Sequence, residues 1–189
     1  IIGAGPAGLN CAYSLAKEGY RCTVFEKLPV AGGMLKVGIP GYRLDKKVLD
    51  YEISLIEDMG VEIRYNTEIG RDFTLEDLKA QGFKAIFLAI GAHADSKLGI
   101  PGEDCEGLIP SVYFLRDLNL GAIDSEYKSK IGKKVIVIGG GNVAMDSARS
   151  ALRLGCDVTV VYRRSREQMP ANPWEIEEAE EEGVKFSFL

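Results

Sequence analysis

Cysteine is scarce and scattered in this 189-residue chain: Cys11, Cys22, Cys105 and Cys156 include no C-x-x-C pair. That spacing removes support for a zinc knuckle, for iron–sulfur ligation within the chain and for a disulfide scaffold. A reducing, cytoplasmic setting is the expectation. Histidine is rarer still, His93 standing alone, so a His-cluster metal site is excluded and no metal ligands are expected. No apolar run approaches the ~18 residues of a membrane span, and no charged-then-apolar leader is present. Positive charge is in deficit, 23 Lys and Arg against 28 Asp and Glu for a net charge of −5, which argues against a sustained basic face for nucleic acid.

What is present is the composition of an ordinary globular protein, 46% hydrophobic and 27% charged, with length enough for one or two cores. Glycine is abundant, 22 residues where about 7% is usual. Without a collagen period, such glycine marks tight turns and close backbone approach to ligands. The chain opens on Ile1-Ile2 without a Met and closes on an apolar strand, Val184 to Leu189. It is therefore expected to be part of a longer chain, incomplete at both ends.

A shift of 136 residues brings two segments into register without a gap. Gly3, Gly5 and Gly8 meet Gly139, Gly141 and Ala144; Gly19 meets Gly155, and Glu26 meets Tyr162. Each copy reads as an apolar strand, a glycine turn, a helix closed by Gly, and a second apolar strand, Cys22–Phe25 or Val158–Val161. Between the copies, Asp45–Met59 has Val48, Tyr51, Ile53, Leu55 and Ile56 at mostly helical spacing. Val61–Tyr65 reads as a strand, Thr74 with Asp77 as a capping pair, and Ala85–Ile90 as an apolar run of strand length. Ser111–Leu118 is expected as a helix, Lys134–Ile138 as a strand and Glu175–Glu182 as a solvated surface helix. Alternating strands and helices predict an α/β fold of two Rossmann-like units with parallel sheets. Leu98–Gly107, with Ile100-Pro101-Gly102, is the expected junction, giving domains 1–106 and 107–189.

In the first copy the turn lies between strand and helix, and Glu26 follows Gly8 by 18 residues, close to the ~20 of a dinucleotide fingerprint. Gly3 permits the tight turn, Gly5 lets backbone approach a pyrophosphate, and Gly8 lets helix pack on strand. Pro6 and Ala7 complete the turn as the helix opens, where unpaired N–H groups and a partial positive charge face the phosphates. The Glu26 carboxylate suits both hydroxyls of an unphosphorylated adenosine ribose. In the second copy, after Gly139, Gly141 and Ala144, the acid is replaced by Tyr162, followed by Arg163, Arg164 and Arg166. Guanidinium groups bind phosphate through paired donors, so NADP(H) is expected there. The alternative, compatible with the first, is that these arginines pair with the acidic Glu175–Glu182 helix. Two unlike sites on one chain suggest FAD with NADPH.

These residues also carry a family pattern: Ile2–Leu9; Gly32-Gly33-Met34-Leu35 with Gly38-Ile39-Pro40 and Tyr42-Arg43-Leu44; Ala89-Ile90-Gly91-Ala92; Ile100-Pro101-Gly102-Glu103; Gly139–Asp146; and Tyr162-Arg163-Arg164 through Met169-Pro170-Ala171. The chain resembles the glutamate synthase small-subunit-like flavoproteins. That group also includes the large subunit of the NADH-dependent ferredoxin:NADP oxidoreductase and the reductase half of dihydropyrimidine dehydrogenase. The resemblance implies a two-dinucleotide-binding-domain flavoprotein in which Gly5, Glu26 and Lys27 lie at the diphosphate and adenosine end of FAD. Gly33, Met34, Leu35 and Arg43 would line its middle and flavin region, with Ala89 and Gly91 beneath. Asn142, Val143 and Ala144 would sit at the NADPH pyrophosphate. Asp146 is expected on the first turn of its helix; His93, after the Gly91 turn, is expected as a structural loop histidine, with contact to a cofactor as the alternative.

The implied chemistry is hydride transfer between NADP(H) and FAD. The cofactors carry it, so no catalytic side chain is named. The resemblance further implies [4Fe–4S] clusters outside this segment, on an iron–sulfur subunit or domain, with ferredoxin or a hydrogenase, dehydrogenase or synthase complex as partner. Rival readings are a simple flavin reductase or monooxygenase and a non-catalytic nucleotide-binding scaffold. A disulfide reductase fits poorly, because Ala31–Leu44 holds no cysteine.

Overall fold

The computed structural model describes residues 1–94, 97–123, 127 and 131–188. Leu189, the end of the expected last strand, lies outside the described residues. The chain forms two compact units, Ile1–His93 and Ala94–Leu189. The division falls upstream of the expected 106/107 junction. Within residues 98–107 the Glu103 carboxylate accepts the N–H groups of Leu98 and Gly99, the latter at 2.8 Å.

In the first unit, α1 (Pro6–Lys17) leads to β1 (Thr23–Phe25). One turn of helix, α2 (Met34–Val37), and α3 (Lys46–Asp58) precede β2 (Glu62–Arg64), and α4 (Leu75–Ala80) follows. Pro6 opens α1, where a missing N–H costs nothing. Asp45 caps α3, and a reciprocal Thr74–Asp77 capping box starts α4. β1 and β2 pair in parallel, and Ile2 bridges in parallel to both Phe25 and Leu88. The Ala85–Ile90 run therefore contributes a single bridge at Leu88 rather than a full strand. Val24 and Phe25 are both buried, on opposite faces of the sheet, as in a parallel sheet covered on both sides. Val24 packs with Leu9, Ala12, Leu49 and Ile53; Phe25 packs with Leu78, Phe73 and Phe83.

α3 departs from the expected pattern. Leu49 and Ile53 are its buried residues, whereas Val48, Tyr51 and Leu55 are exposed. Apolar residues run along both sides of this helix, so spacing alone could not choose the inner face.

The second unit contains α5 (Ser111–Asn119), β3 (Lys134–Ile138), α6 (Asn142–Arg153), β4 (Asp157–Tyr162), a short 3₁₀ turn at Arg166–Gln168, α7 (Pro173–Glu181) and β5 (Lys185–Phe188). The strands are parallel in the order β3-β4-β5. Residues Ala144 to Ala151 of α6 are all buried. Met145 and Ala148 join a core with Val158, Val160, Ile176 and Ala179. Small side chains let this helix lie enclosed by its neighbours. The acidic helix is less solvated than expected: Glu175 is fully buried, and the Arg149 side chain, 6% exposed, pairs with Glu178 and Glu182.

Candidate functional site

Gly3 donates its N–H to the Phe25 carbonyl at 2.8 Å with φ +103°, and a Cβ placed on it would lie 2.3 Å from the Ala89 carbonyl oxygen. A Cβ on Gly8 would lie 1.9 Å from the Gly3 oxygen. The protein's own packing demands these two glycines. Gly5 is different. Its φ of −79° suits any residue, and a Cβ there would meet only the Gly33 Cα, at an ordinary 3.8 Å. Among the described residues no contact requires glycine at Gly5, yet it is the N-cap of α1 and no side chain caps that helix. The space is open to a ligand, and the N–H groups of the first turn are not committed to a side-chain cap.

Glu26 directly follows β1 and is 6% exposed. Its Oε2 accepts the Ala4 N–H at 2.7 Å and Oε1 the Leu28 N–H at 2.8 Å. An ionised carboxylate has about four acceptor positions, so two remain while the backbone holds the group rigid. Glu26 and the turn face a cleft of about 410 Å³, within the range of small-molecule sites. Gly3, Gly5, Pro6, Ala7 and Lys27 line one part of it; Gly33, Met34, Ala89 and Gly91 line another. Gly33 lies close enough to the turn that a Cβ on it would sit 2.8 Å from the Gly5 Cα. α2 is anchored from behind by Lys46, whose Nζ donates to the carbonyls of Leu35 and Ile39 at 2.7 and 2.5 Å. Burial, then the neighbouring Lys36, pushes the Lys46 pKa down.

Leu35 does not line the cleft. Adjacent residues of a helix point about 100° apart, so Met34 reaches the cleft while Leu35 packs on the core around Leu49 and Ile53. Arg43 is half-buried and also outside the lining. Gly8 serves helix packing behind the turn. His93, expected as a loop residue, does line the cleft, as do Thr67, Glu68 and Ile69, which sequence reading missed. The signal for the last three was positional: they follow β2, the neighbour of β1, and ligands of open α/β sheets lie beyond the carboxyl ends of the strands.

The second turn repeats the first. Gly139, at φ +135°, donates to the Val161 carbonyl at 3.0 Å. Gly141 caps α6 with φ −92°, and a Cβ there would meet only the Pro170 Cγ, at 4.0 Å. Again the fold leaves this position free. Ala144 is buried in the third place, and Val143 is 48% exposed. Asp146 lies beyond the first turn of α6, which begins at Asn142, and is buried.

Tyr162 stands where Glu26 stands in the first copy. Its ring lies on Gly140, where a Cβ would come within 2.7 Å of Cδ2, and its Oη donates to the Gln168 carbonyl at 2.9 Å. Arg166 is committed to Glu180, donating from Nη2 at 2.6 Å and Nε at 3.2 Å. This is the pairing with the acidic helix given as the alternative for the arginines. Arg163 and Arg164 are exposed, and among the described residues neither forms an ion pair. All four cysteines are free and none lines the cleft; burial pushes the Cys22 and Cys156 thiols up, away from the reactive thiolate.

Residues 1–189 match the family described as pyridine nucleotide-disulphide oxidoreductase. The chain is 55% identical over 192 residues to the NADP(+)-dependent formate dehydrogenase subunit beta of Moorella thermoacetica, covering 100% of this chain and 26% of that protein. It is 40% identical over 195 residues to the glutamate synthase [NADPH] small chain of Escherichia coli, covering 100% of this chain and 41% of that one. The expected likeness to glutamate synthase small subunits is thus borne out, and the chain spans well under half the length of these relatives. Among solved structures, Mycobacterium tuberculosis FprA in complex with NADPH aligns with a TM-score of 0.78 at 25% identity, covering 96% of this chain and 46% of that one.

Proposed function

The chain belongs to the pyridine nucleotide-disulphide oxidoreductase family, and from that premise we propose that its first unit holds FAD, its second holds NADP(H), and the pair exchanges hydride. The observation that carries this reading is the behaviour of Gly5 and Gly141. Both are glycines that neither backbone angle nor packing demands, both cap a helix with no side-chain cap, and both sit at the same place in a repeated turn. A ligand phosphate approaching the backbone supplies the missing reason.

In the first unit the cleft, the Ala4 and Leu28 bonds that fix Glu26, and its remaining acceptor positions fit an FAD adenosine ribose. Gly33, Met34, Ala89 and Gly91 fit the middle of the same cofactor. In the second, the absence of a carboxylate at Tyr162 and the exposed guanidinium groups of Arg163 and Arg164 favour a 2′-phosphate. When bound, flavin supplies acceptance of two electrons and their release one at a time. The chain's residues bind and orient; none is assigned a proton transfer. Thiol–disulfide exchange has no support, because none of the four cysteines lines the cleft.

The relatives are a subunit beta and a small chain of NADP-linked enzymes, which supports assembly into a larger redox complex. We place the electron outlet on [4Fe–4S] clusters outside this segment, in a cytoplasmic complex. Among the described residues no helix is long and apolar enough to cross a membrane. The test uses the full-length protein under anaerobic conditions. Gly5→Ala is expected to lose flavin, and Gly141→Ala to keep flavin while losing its bleaching by NADPH. Each replacement should cost about 1 kcal/mol of stability at its helix cap. Retention of flavin by the first variant and of NADPH bleaching by the second would refute the assignment.

A further inference from the structure

A strap from Gln168 to Asn172 is fastened at three points around the second glycine turn: to the end of β4, to the turn itself and to the first residue of α6. Tyr162 Oη donates to the Gln168 carbonyl at 2.9 Å, the Ala171 N–H to the Gly140 carbonyl at 3.0 Å, and the Asn172 N–H to Asn142 Oδ1 at 2.9 Å. Met169 and Ala171 are buried in the core of the unit, so side-chain packing anchors the strap as well.

The third contact has a chemical consequence. A side-chain amide carries one acceptor oxygen and one donor nitrogen, which are exchanged by a half-turn of its last torsion. A backbone N–H can only donate, so the Asn172 N–H fixes which end of Asn142 faces the strap. The oxygen is committed there, and Nδ2 is left as a donor on the first residue of α6. Among the described residues Nδ2 has no acceptor. In the opposite orientation, the strap would face an N–H against an N–H.

We infer that Asn172 is a positioning residue: its backbone N–H selects the Asn142 amide orientation that presents Nδ2 to the pyrophosphate of a dinucleotide. This rests on the proposed NADP(H) site of the second unit. The strap acts on affinity through Asn142 and not through shape alone.

Asn172 has φ −59°, an angle proline adopts, so Asn172→Pro deletes this donor while keeping the local backbone angle. In the full-length flavoprotein, Asn172→Pro and Asn142→Ala are each expected to raise the NADPH Kd by roughly five- to tenfold, the scale of one hydrogen bond to a charged group. KM for NADPH should rise in parallel, with kcat moving less than about twofold. The double variant should bind no more weakly than the weaker single, because Asn172 acts through Asn142. Multiplying losses in the double variant, or an unchanged Kd for Asn172→Pro, would overturn the inference. Asn142→Asp gives an independent check if the proline variant does not fold. It keeps the acceptor for the Asn172 N–H and removes the donor, so its melting midpoint should hold while NADPH binding falls below that of Asn142→Ala; wild-type affinity in Asn142→Asp would also overturn the inference. A wild-type protein that binds no NADPH would instead refute the site itself.

Discussion

Ile2 faces Phe25 in the first unit as Ile138 faces Val161 in the second, and α1 and α6 begin and end at positions 136 residues apart. On this shared backbone the residue at the end of the second strand is Glu26, just past β1, in one copy and Tyr162, the last of β4, in the other, and each is paired with a different neighbour in the turn. Ala4 offers its N–H to the Glu26 carboxylate. Gly140, at the equivalent position, lacks the Cβ that would strike the Tyr162 ring. The chemical difference between the two sites therefore involves two linked positions, not one. The third position of the turn differs as well. Gly8 is jammed against the Gly3 oxygen, whereas a Cβ on Gly139 would lie an ordinary 3.7 Å from that of Ala144.

The largest asymmetry should appear there. Gly8→Ala drives a methyl into backbone that has no flexible end to yield, and a loss of more than about 3 kcal/mol is expected, with flavin gone. The matching Ala144→Gly should cost about 1 kcal/mol in its helix. Thermal unfolding of the two variants would compare them directly; equal losses would break the asymmetry.

Glu26→Ala comes next. It strands the N–H groups of Ala4 and Leu28, at about 1–3 kcal/mol for each unsatisfied donor, and flavin content of the purified protein should fall. Tyr162→Ala leaves one carbonyl without its donor, a loss near 1 kcal/mol, and flavin should be retained. Unchanged flavin content in Glu26→Ala would remove its assigned role.

Arg163→Ala should weaken NADPH by roughly ten- to a hundredfold, the scale of a charge-assisted contact, and NADH far less. Arg166→Ala, already engaged by Glu180, should move either affinity by less than about threefold. Titrating both nucleotides against both variants sharpens the distinction between the arginines. Equal NADPH and NADH losses in Arg163→Ala would refute the 2′-phosphate contact.

The smallest effect is acid sensitivity of the second unit. Hydrogen bonds from Arg149, then Arg153, hold the Glu182 carboxyl at about 2, down from 4.5. A depressed folded-state pKa contributes stability above the unfolded value and loses it as pH falls through the folded one. The contribution should therefore fade between pH 4.5 and about 2. Glu182→Gln should flatten that limb of a pH-dependent unfolding curve, and an unaltered slope would count against it.

Much of this was legible in the sequence. The two turns, their helices and the first strand of the second unit stood in the spacing of Gly3, Gly5, Gly8 and their counterparts, because glycine turns and helix caps are local. Three features were not. α3 carries apolar residues on two sides, and only packing shows that Leu49 and Ile53 face inward. Met34 and Leu35 are neighbours in a motif but diverge in one helical turn. Pairing of the basic run with the acidic helix was foreseen as an alternative, but which arginine it takes was not: Arg166 belongs to the same run as Arg163, and its capture by Glu180 depends on α7 returning beside it. Each is a question of which nearby partner wins, and that competition is decided in three dimensions.

The coupling of Gly140 to Tyr162 also restricts the order in which coenzyme preference can be remade by single substitutions. Adding a methyl at 140 first collides with the aromatic ring, so that intermediate is penalised whatever follows. Replacing Tyr162 with Glu first removes the obstruction and places a carboxylate within the reach of the turn, after which Ala at 140 is tolerated. A lineage or a directed-evolution library moving from the arginine-flanked arrangement toward the acid-clasped one thus has one passable order of steps, and it is the aromatic residue that must go first.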